Sequence, residues 1–201
     1  MKKDFGVLAF NSPKEATMDY SKIAPLVGTN SPLHPPHDRV TVEAVDHWCQ
    51  VMQDTNPLYT DEAYAKKSPF GGLVAPSGMV HVFCLGSKKA SIDQFVHGKF
   101  EYPHDPNNVQ NQIIEDEGYT GVMATGQRQT HFKRVMVGDE VHWTLGIARF
   151  SDYDHQTRQG VGRKYQILYQ FYNQDKELLC KQSFDVLVYR PPISTRRLYA
   201  G

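Results

Sequence analysis

The sequence has few cysteines and no excess of charge of either sign, and each shortage argues against a class of protein. Its three cysteines, Cys49, Cys84 and Cys180, are odd in number and far apart, and none forms a Cys-x-x-Cys motif. This spacing argues against a disulfide framework and favours buried thiols in a reducing compartment. Lysine plus arginine equal aspartate plus glutamate at 22 each. We therefore expect no binding to nucleic acid or to an anionic membrane.

Long hydrophobic runs are also lacking. The apolar run after the basic pair Lys2-Lys3 is too short for a signal peptide or a membrane span. We therefore predict a cytoplasmic protein with no export signal. Its 201 residues, 40% of them hydrophobic, fit one large domain with an extended arm.

Residues 1–39 are rich in proline and polar residues and are predicted to form this arm. A short helical piece is expected at 20–27, closed by Gly28. His34, His37 and Asp38 are potential metal ligands. The intervening Pro35-Pro36 predicts an extended loop instead, with all three side chains exposed to solvent.

Two helices are predicted next. Thr41 is a suitable N-cap for a helix that runs to about Gln53, and three- and four-residue spacings predict one buried face made of Val42, Val45, Cys49 and Met52. Residues 79–89 are almost wholly apolar before a basic end, which predicts a helix buried most of the way round. Residues 91–120 are interpreted as a connection with a helical segment near 109–117.

From Met123 onward the period changes to two, which predicts half-buried antiparallel strands. Apolar residues alternate with others in three segments, around Val141–Ile147, Tyr165–Phe171 and Phe184–Val188. Residues 137–139 and 173–176 supply turns, and Pro191-Pro192 ends the last strand. Helices followed by an antiparallel sheet predict an α+β domain in which a curved sheet wraps around the apolar helix.

The stretch from Gln53 to Met79 combines two turns, a short helical piece and a glycine pair, an arrangement typical of a site. Its residues, together with later ones, resemble a known family. The run Asp54-x-Asn56-Pro57-Leu58, the Gly78-Met79 pair and Val137-Gly138-Asp139 resemble the MaoC-like hydratases and dehydratases of the hotdog fold. The segments NPLY, GGLVAP and GYTGVMAT resemble more narrowly the FAS1-like dehydratase, or MaoC N-terminal, type. Within it, the likeness is to the non-catalytic subunit of heteromeric enoyl-CoA hydratases that act on steroid side chains.

The resemblance implies a single hotdog domain at residues 40–192, followed by a tail at 193–201, that forms a double hotdog with a partner chain. The implied chemistry is addition of water to a 2-enoyl-CoA thioester, with no cofactor and no metal. In the family an Asp and a His activate the water, and a backbone N–H beside a glycine polarises the thioester carbonyl. Asp54 matches the Asp, and Ser77 and Gly78 match the oxyanion position at a helix start.

The family's His position is Tyr59 here, and a tyrosine with a pKa of about 10 is a poor base at neutral pH. Tyr59 is therefore predicted to be a packed, non-catalytic aromatic. For Asp54, an Asx turn is the preferred alternative to catalysis. His81 either faces the site and binds substrate or is a hydrogen-bonded core histidine. Basic residues are candidates for contacts to CoA phosphates; these are Lys66, Lys67, Lys133, Arg134, Arg163 and Lys164.

Three functional hypotheses remain. The first, which we favour, is a subunit of a heteromeric 2-enoyl-CoA hydratase that shapes the acyl pocket while a sister MaoC-like chain carries the Asp/His pair, as a heterodimer or a dimer of heterodimers. The second is a self-sufficient hydratase or thioesterase that uses Asp54 with Tyr59 or His81. The third is a non-enzymatic hotdog scaffold that docks another protein, such as an aldolase or an acyl carrier.

Overall fold

Helices precede strands along the chain, as the sequence predicts. The computed structural model describes residues 18–85, 92–93, 96–97 and 99–191. The helical elements are α1 (Val42–Met52), α2 (Pro57–Thr60), α3 (Glu62–Lys67), a 3₁₀ helix at Ser77–Cys84 that we call the central helix, and α4 (Pro106–Asp116). The strands are β1 (Gly121–His131), β2 (His142–Phe150), β3 (His155–Thr157), β4 (Gly160–Tyr172) and β5 (Leu178–Arg190). The helical piece expected at 20–27 consists of two 3₁₀ turns, Tyr20–Lys22 and Ala24–Leu26.

The strands form one antiparallel sheet in the order β1-β5-β4-β2, with β3 paired to the beginning of β4. The predicted inward residues of β2 are buried: Trp143 pairs with Phe171, and Ile147 pairs with Ile167, all at 5% exposure or less. Such cross-strand apolar pairs stabilise the sheet. The period-two prediction is confirmed for this face.

Helix α1 has the predicted caps. The Thr41 hydroxyl accepts a hydrogen bond from the Ala44 N–H at 3.1 Å, and Gln53 ends the helix in a left-handed conformation. Its buried face is narrower than predicted. Val45 and Cys49 are buried, but Val42 and Met52 are 48% and 58% exposed. These two occupy the ends of the helix, whereas only its middle turns pack against the core.

The central helix differs from the predicted one. It begins at Ser77 and is described only to Cys84, and residues 86–89 of the predicted helix lie outside the described residues. It is a 3₁₀ helix, in which β-branched Val80 and Val82 lower the preference for an α-helix. Burial is less complete than predicted in the described part of the helix: Met79 and Val80 are buried, His81, Phe83 and Cys84 are half-buried, and Val82 is exposed. One side of the helix packs against the core, whereas Val82 on the other side is 37% exposed.

Residues 27–39, which we call the strap, run along the outer edge of β2. The N–H groups of Gly28, Ser31 and His34 donate to carbonyl oxygens of β2 at 2.7–2.8 Å. The strap therefore provides hydrogen-bond donors for carbonyl groups along the outer edge of β2, where no further strand of the described sheet is paired. The boundary predicted at residue 40 between arm and domain stays a prediction.

Strand β1 forms the opposite edge of the sheet and, among the described residues, pairs on one side only, with β5. Residues 122–125 are exposed on both faces of the strand, including Val122 at 68% and Met123 at 37%. An edge strand with exposed apolar residues on both faces is a surface suited to another chain.

Candidate functional site

The segment after α1 holds Asp54 in a turn. The Asp54 carboxylate accepts a hydrogen bond from the Asn56 N–H at 3.1 Å, and the Asn56 side chain accepts one from the Leu58 N–H at 3.1 Å. These are the bonds of two successive Asx turns, of which the second caps α2. Asp54 thus has the local structural role that the sequence favoured for it.

Tyr59 lies half-buried on α2 and packs against the hydrophobic core. Within the described part of the chain, no hydrogen bond joins Asp54 to Tyr59 or to His81. The structure therefore does not assemble these three side chains into one group. A backbone hydrogen bond instead links α2 to the segment before the central helix, since the Val74 N–H donates to the Leu58 carbonyl at 3.2 Å.

The start of the central helix holds the backbone N–H groups that the sequence predicts for the oxyanion position. The first helical hydrogen bond runs from the Met79 N–H to the Pro76 carbonyl at 2.9 Å, so the N–H groups of Ser77 and Gly78 precede it. Gly78 is exposed, and the nearest atom to an added β-carbon is Trp48 Cζ2 at 3.7 Å. Such amide groups favour negative charge.

A groove of about 490 Å³ opens beside this helix start. It brings together three residues predicted for substrate binding, Ser77, Lys133 and Arg134, although Arg134 is 57 positions from Ser77. The Arg134 guanidinium donates to the Ser77 hydroxyl and lies 5.8 Å from the centre of the Phe70 ring. Lys133 pairs with Glu177 at the exposed rim. The groove therefore has cations at its rim and an aromatic wall.

The other predicted cations lie elsewhere. Lys66 and Lys67 are exposed on α3, where Lys66 pairs with Glu62 at 2.7 Å, and Lys164 is exposed on β4. Arg163 is only 2% exposed, since its guanidinium donates to Asp154 at 2.5 Å and to the Met18 carbonyl. The prediction that Arg163 contacts a phosphate is wrong, because a buried ion pair already holds it.

His81, on the central helix, is a hydrogen-bonded histidine facing the sheet. The Gln182 amide donates to its Nδ1 at 2.9 Å, and Gln129 donates to the Gln182 oxygen at 2.7 Å. The ring makes an edge contact with Tyr169 at 5.0 Å between centroids. Burial lowers the pKa of His81. The imidazole is therefore neutral at pH 7, with its proton on Nε2.

The lowered pKa of His81 predicts a loss of stability in acid. In the unfolded chain His81 titrates near its ordinary pKa of about 6.5, so the unfolded state binds more protons below that pH. The contribution of the neutral His81 ring to the unfolding free energy is therefore complete above about pH 6.5, and it is lost as the pH falls through the lower pKa of the folded state.

We expect the His81→Gln variant to lose less unfolding free energy than the wild type between about pH 7 and pH 5 in urea titrations. His47→Gln, at an exposed position on α1, is the control. Equal slopes for wild type and His81→Gln would contradict this assignment.

A second cavity, of about 230 Å³, lies beyond His81. Its walls include His81, Leu85, Tyr102, Asn107, Trp143 and Tyr169. Asp105 also lines it and binds His34, with Nε2 to Oδ2 at 2.8 Å and both side chains about 5% exposed. Burial raises the pKa of the Asp105 carboxyl, and the adjacent His34 ring opposes that shift.

His34 corrects one prediction and shows where sequence reasoning fails. The adjacent prolines predict an exposed loop, yet His34 is buried, because its partner Asp105 comes from a segment 71 residues away. His37 is half-buried and Asp38 is exposed. Among the described residues no group of three or more His, Cys, Asp or Glu side chains is placed to hold a metal ion.

Gln182 is a site residue that the sequence analysis missed. It is fully buried on β5 and holds the His81 ring in place. The sequence does indicate its position, because Gln182 falls on the same face of the alternating strand as the inward residues Phe184, Val186 and Val188. A polar residue at an inward position of a strand needs a buried partner.

No helix in the described ranges is long and apolar enough to cross a membrane. Comparison with known proteins gives a consistent result. Residues 25–182 match the family described as FAS1-like, dehydratase domain region. The chain is 26% identical over 154 residues to a probable enoyl-CoA hydratase alpha subunit of Thermomonospora curvata, covering 77% of this chain and 46% of the relative. It is 29% identical over 104 residues to the 3-oxo-4,17-pregnadiene-20-carboxyl-CoA hydratase alpha subunit of Mycobacterium tuberculosis, covering 52% and 30%. The chain thus spans less than half the length of these two curated relatives.

Solved structures support the same architecture. A chain of the ChsH1-ChsH2 complex from Mycobacterium tuberculosis superposes with a TM-score of 0.74 at 23% identity, covering 86% of this chain and 91% of that one. An (R)-hydratase from A. caviae involved in PHA biosynthesis superposes with a TM-score of 0.52 at 15% identity, covering 80% and 94%. These likenesses confirm the predicted hotdog fold.

Proposed function

Because this chain belongs to the family of FAS1-like dehydratase domain regions, we propose that it is one half of a heteromeric 2-enoyl-CoA hydratase. The observation that carries the proposal is the composition of its site. The helix start at Ser77–Gly78 and the cationic groove are in place, but Asp54 is engaged in a turn and Tyr59 stands where the family has its base. A site with an anion-binding frame and no base needs a second chain to complete its chemistry.

In the proposed reaction, the oxygen of a water molecule bonds to C3 of the enoyl thioester and a proton is added at C2. An Asp/His pair on a sister MaoC-like chain activates the water. This chain binds the substrate and shapes the pocket for the acyl group. The steroid thioester for which the mycobacterial relative is named supports a steroid side chain as the acyl group. The predicted absence of a cofactor and the predicted cytoplasmic location stay predictions.

The exposed surface around β1 supports a partner of the same fold. Apolar side chains remain exposed there, with Val122 and Phe132 at 68% and 56%. Val82 on the central helix and Leu85 directly after it add to this surface, at 37% and 55% exposure. A sister hotdog that pairs with β1 would extend the sheet and bury these residues.

Reconstitution tests the proposed function. The sister chain to use is a short MaoC-like protein with an intact Asp-x-Asn-Pro-x-His motif. We expect the mixed chains to hydrate a 2-enoyl-CoA and this chain alone to be inactive, measured by the loss of enoyl thioester absorbance. Hydratase activity of the isolated chain that is lost on Asp54→Ala would favour the self-sufficient enzyme and refute the proposal. A chain whose melting temperature is unaffected by saturating acyl-CoA, alone or in the mixture, would favour the scaffold.

The groove predicts how CoA is held. Replacing Arg134 with alanine removes a cation from its rim, and a hydrogen bond to a charged group contributes about 1.5–3 kcal/mol. We therefore expect roughly tenfold to hundredfold weaker binding of acyl-CoA by calorimetry. Lys66→Ala, on exposed α3, is the control and should bind as the wild type does.

The control ligand for the Arg134→Ala experiment is the acyl-pantetheine thioester, which lacks the nucleotide phosphates of acyl-CoA. Its affinity should be the same for Arg134→Ala and wild type. An equal loss for both ligands would mean that Arg134 acts through Ser77 and the helix start rather than on a phosphate.

A further inference from the structure

A further groove, of about 590 Å³, lies on the face of the sheet that is turned away from the central helix. Gln166 and Asp185 line it and pair with each other across β4 and β5. They alternate along these strands with Ile167 and Phe184, which face the core. We call this site the outer groove. The polar and aromatic residues of its lining include Arg149, Tyr153, His155, Lys164, Gln166 and Asp185.

The outer groove is separate from the groove beside Ser77, since no described residue lines both. Along β5, Asp185 lies five residues from Cys180, which is the strand partner of His131 in the other groove. At the rise of a β-strand this separation is roughly 16 Å. The two grooves therefore hold different ligands, or different parts of a long one.

Two cations of the outer groove are available to a ligand. Arg149 and Lys164 are exposed, and neither side chain has an ion pair or a hydrogen bond with another described residue. The one carboxylate among the described lining residues, that of Asp185, already accepts a hydrogen bond from the Gln166 amide at 2.7 Å. Guanidinium and ammonium groups of this kind bind phosphate oxygens. The charge of the outer groove therefore favours an anion.

The outer groove also has an exposed aromatic side chain on an anchored loop. Tyr153 is 61% exposed, and the centre of its ring lies 4.4 Å from that of His155. Arg163 holds both ends of the loop, because its guanidinium donates to the Ser151 carbonyl at 2.9 Å and to the Asp154 carboxylate at 2.5 Å. The loop that carries Tyr153 is thus in place before a ligand arrives, which lowers the entropy cost of binding.

We propose that the outer groove binds a nucleoside phosphate, with its phosphate on Arg149 and Lys164 and its base on the ring of Tyr153. Two cations account for the anionic end of such a ligand, and an aromatic side chain stacks with any of the bases. A volume of about 590 Å³ is within the range of small-molecule sites. The proposal does not rest on the proposed function, because the two grooves share no described residue.

Calorimetry on the full chain tests the proposal with ADP as the probe, and with adenosine and inorganic pyrophosphate as its two halves. We expect ADP to bind at least about tenfold more tightly than either half, because only ADP contacts both the cations and the ring. No binding of ADP at about 1 mM, or an affinity for ADP no higher than that for either half, would overturn the proposal. Neither result changes the hydratase activity expected of the mixed chains, so the two proposals fail separately.

Two variants at exposed positions assign the contacts. Arg149→Ala should weaken ADP binding about tenfold to hundredfold, and Tyr153→Ala about fivefold to hundredfold. Arg39→Ala and Tyr64→Ala are the matched controls, at side chains that are exposed and lie outside the outer groove. Both controls should bind ADP as the wild type does. Wild-type affinity in either Arg149→Ala or Tyr153→Ala would overturn the proposal, and the comparison of ligands on the wild type needs no variant.

Coenzyme A carries the same ADP group, so CoA titrations identify the source of the nucleotide. Weaker CoA binding in Arg149→Ala would support a site for the nucleotide end of CoA. Weaker CoA binding in Arg134→Ala alone, with ADP binding still dependent on Arg149, would support a site for a free nucleotide. Weaker ADP binding in Arg134→Ala but not in Arg149→Ala would place ADP in the groove beside Ser77 and overturn the proposal.

Discussion

Replacing His34 with alanine is expected to lower the free energy of unfolding by about 3–5 kcal/mol. The change leaves the Asp105 carboxylate buried without the imidazole that it binds at 2.8 Å. It also removes a ring that packs between Tyr102 and Trp143, with centroid distances of 3.9 and 4.1 Å. For a chain of this size the loss corresponds to a decrease in Tm of roughly 6–20 °C. Urea unfolding followed by circular dichroism measures it.

The exposed pair of Arg39 and Glu140 provides the matched control. It has a similar distance, 2.7 Å, but Arg39 is 69% exposed, so Arg39→Ala should cost at most about 1 kcal/mol. The double variant His34→Phe, Asp105→Leu should recover part of the loss, because an apolar pair leaves no buried charge. A His34→Ala variant no less stable than Arg39→Ala would contradict a stabilising role for the buried contact between His34 and Asp105.

Alanine at Gly146 is expected to displace the strap from β2 and to destabilise the chain by about 1–3 kcal/mol. A β-carbon at this position would lie within the contact radii of the Thr29 carbonyl oxygen and the Asn30 side chain. Because the Thr29 oxygen is backbone, the strap has to move. We expect faster amide hydrogen exchange at Gly28, Ser31 and His34, whose N–H groups bond to β2 in the wild type.

Gly72→Ala is the control for this second prediction, since the nearest atom to its added β-carbon is the end of the Met136 side chain at 3.7 Å. It should leave exchange in the strap unchanged. Equal exchange in Gly146→Ala and wild type would show that the strap is not held against Gly146.

The regular parts of this fold are predictable because their signals are local. The alternation in β2 and β4 places Trp143 and Ile147 inside, and Thr41 begins α1 because its side chain can cap the next turn. The pairing of His34 with Asp105 has no such signal. It depends on two irregular segments meeting in space, and two prolines beside His34 indicate the opposite environment.

The candidate site shows the same division. Resemblance to a family indicated Ser77, and the chemistry of phosphate binding indicated six cations, of which the structure brings Lys133 and Arg134 to the groove beside Ser77. The apolar composition of residues 79–89 overestimated the burial of the central helix, because composition does not reveal which sides of a helix other residues cover. Arg163 was misassigned because a sequence does not reveal that Asp154 and the Met18 carbonyl surround it.

The strap also determines which edge of the sheet can add another chain. A β-sheet with two open edges can add subunits at both ends and grow into a fibre. Here Gly28, Ser31 and His34 occupy the hydrogen-bonding groups of β2, so within the described ranges only β1 can recruit a neighbour. The strap therefore blocks edge-to-edge growth on the β2 side of this chain and directs any added strand to β1.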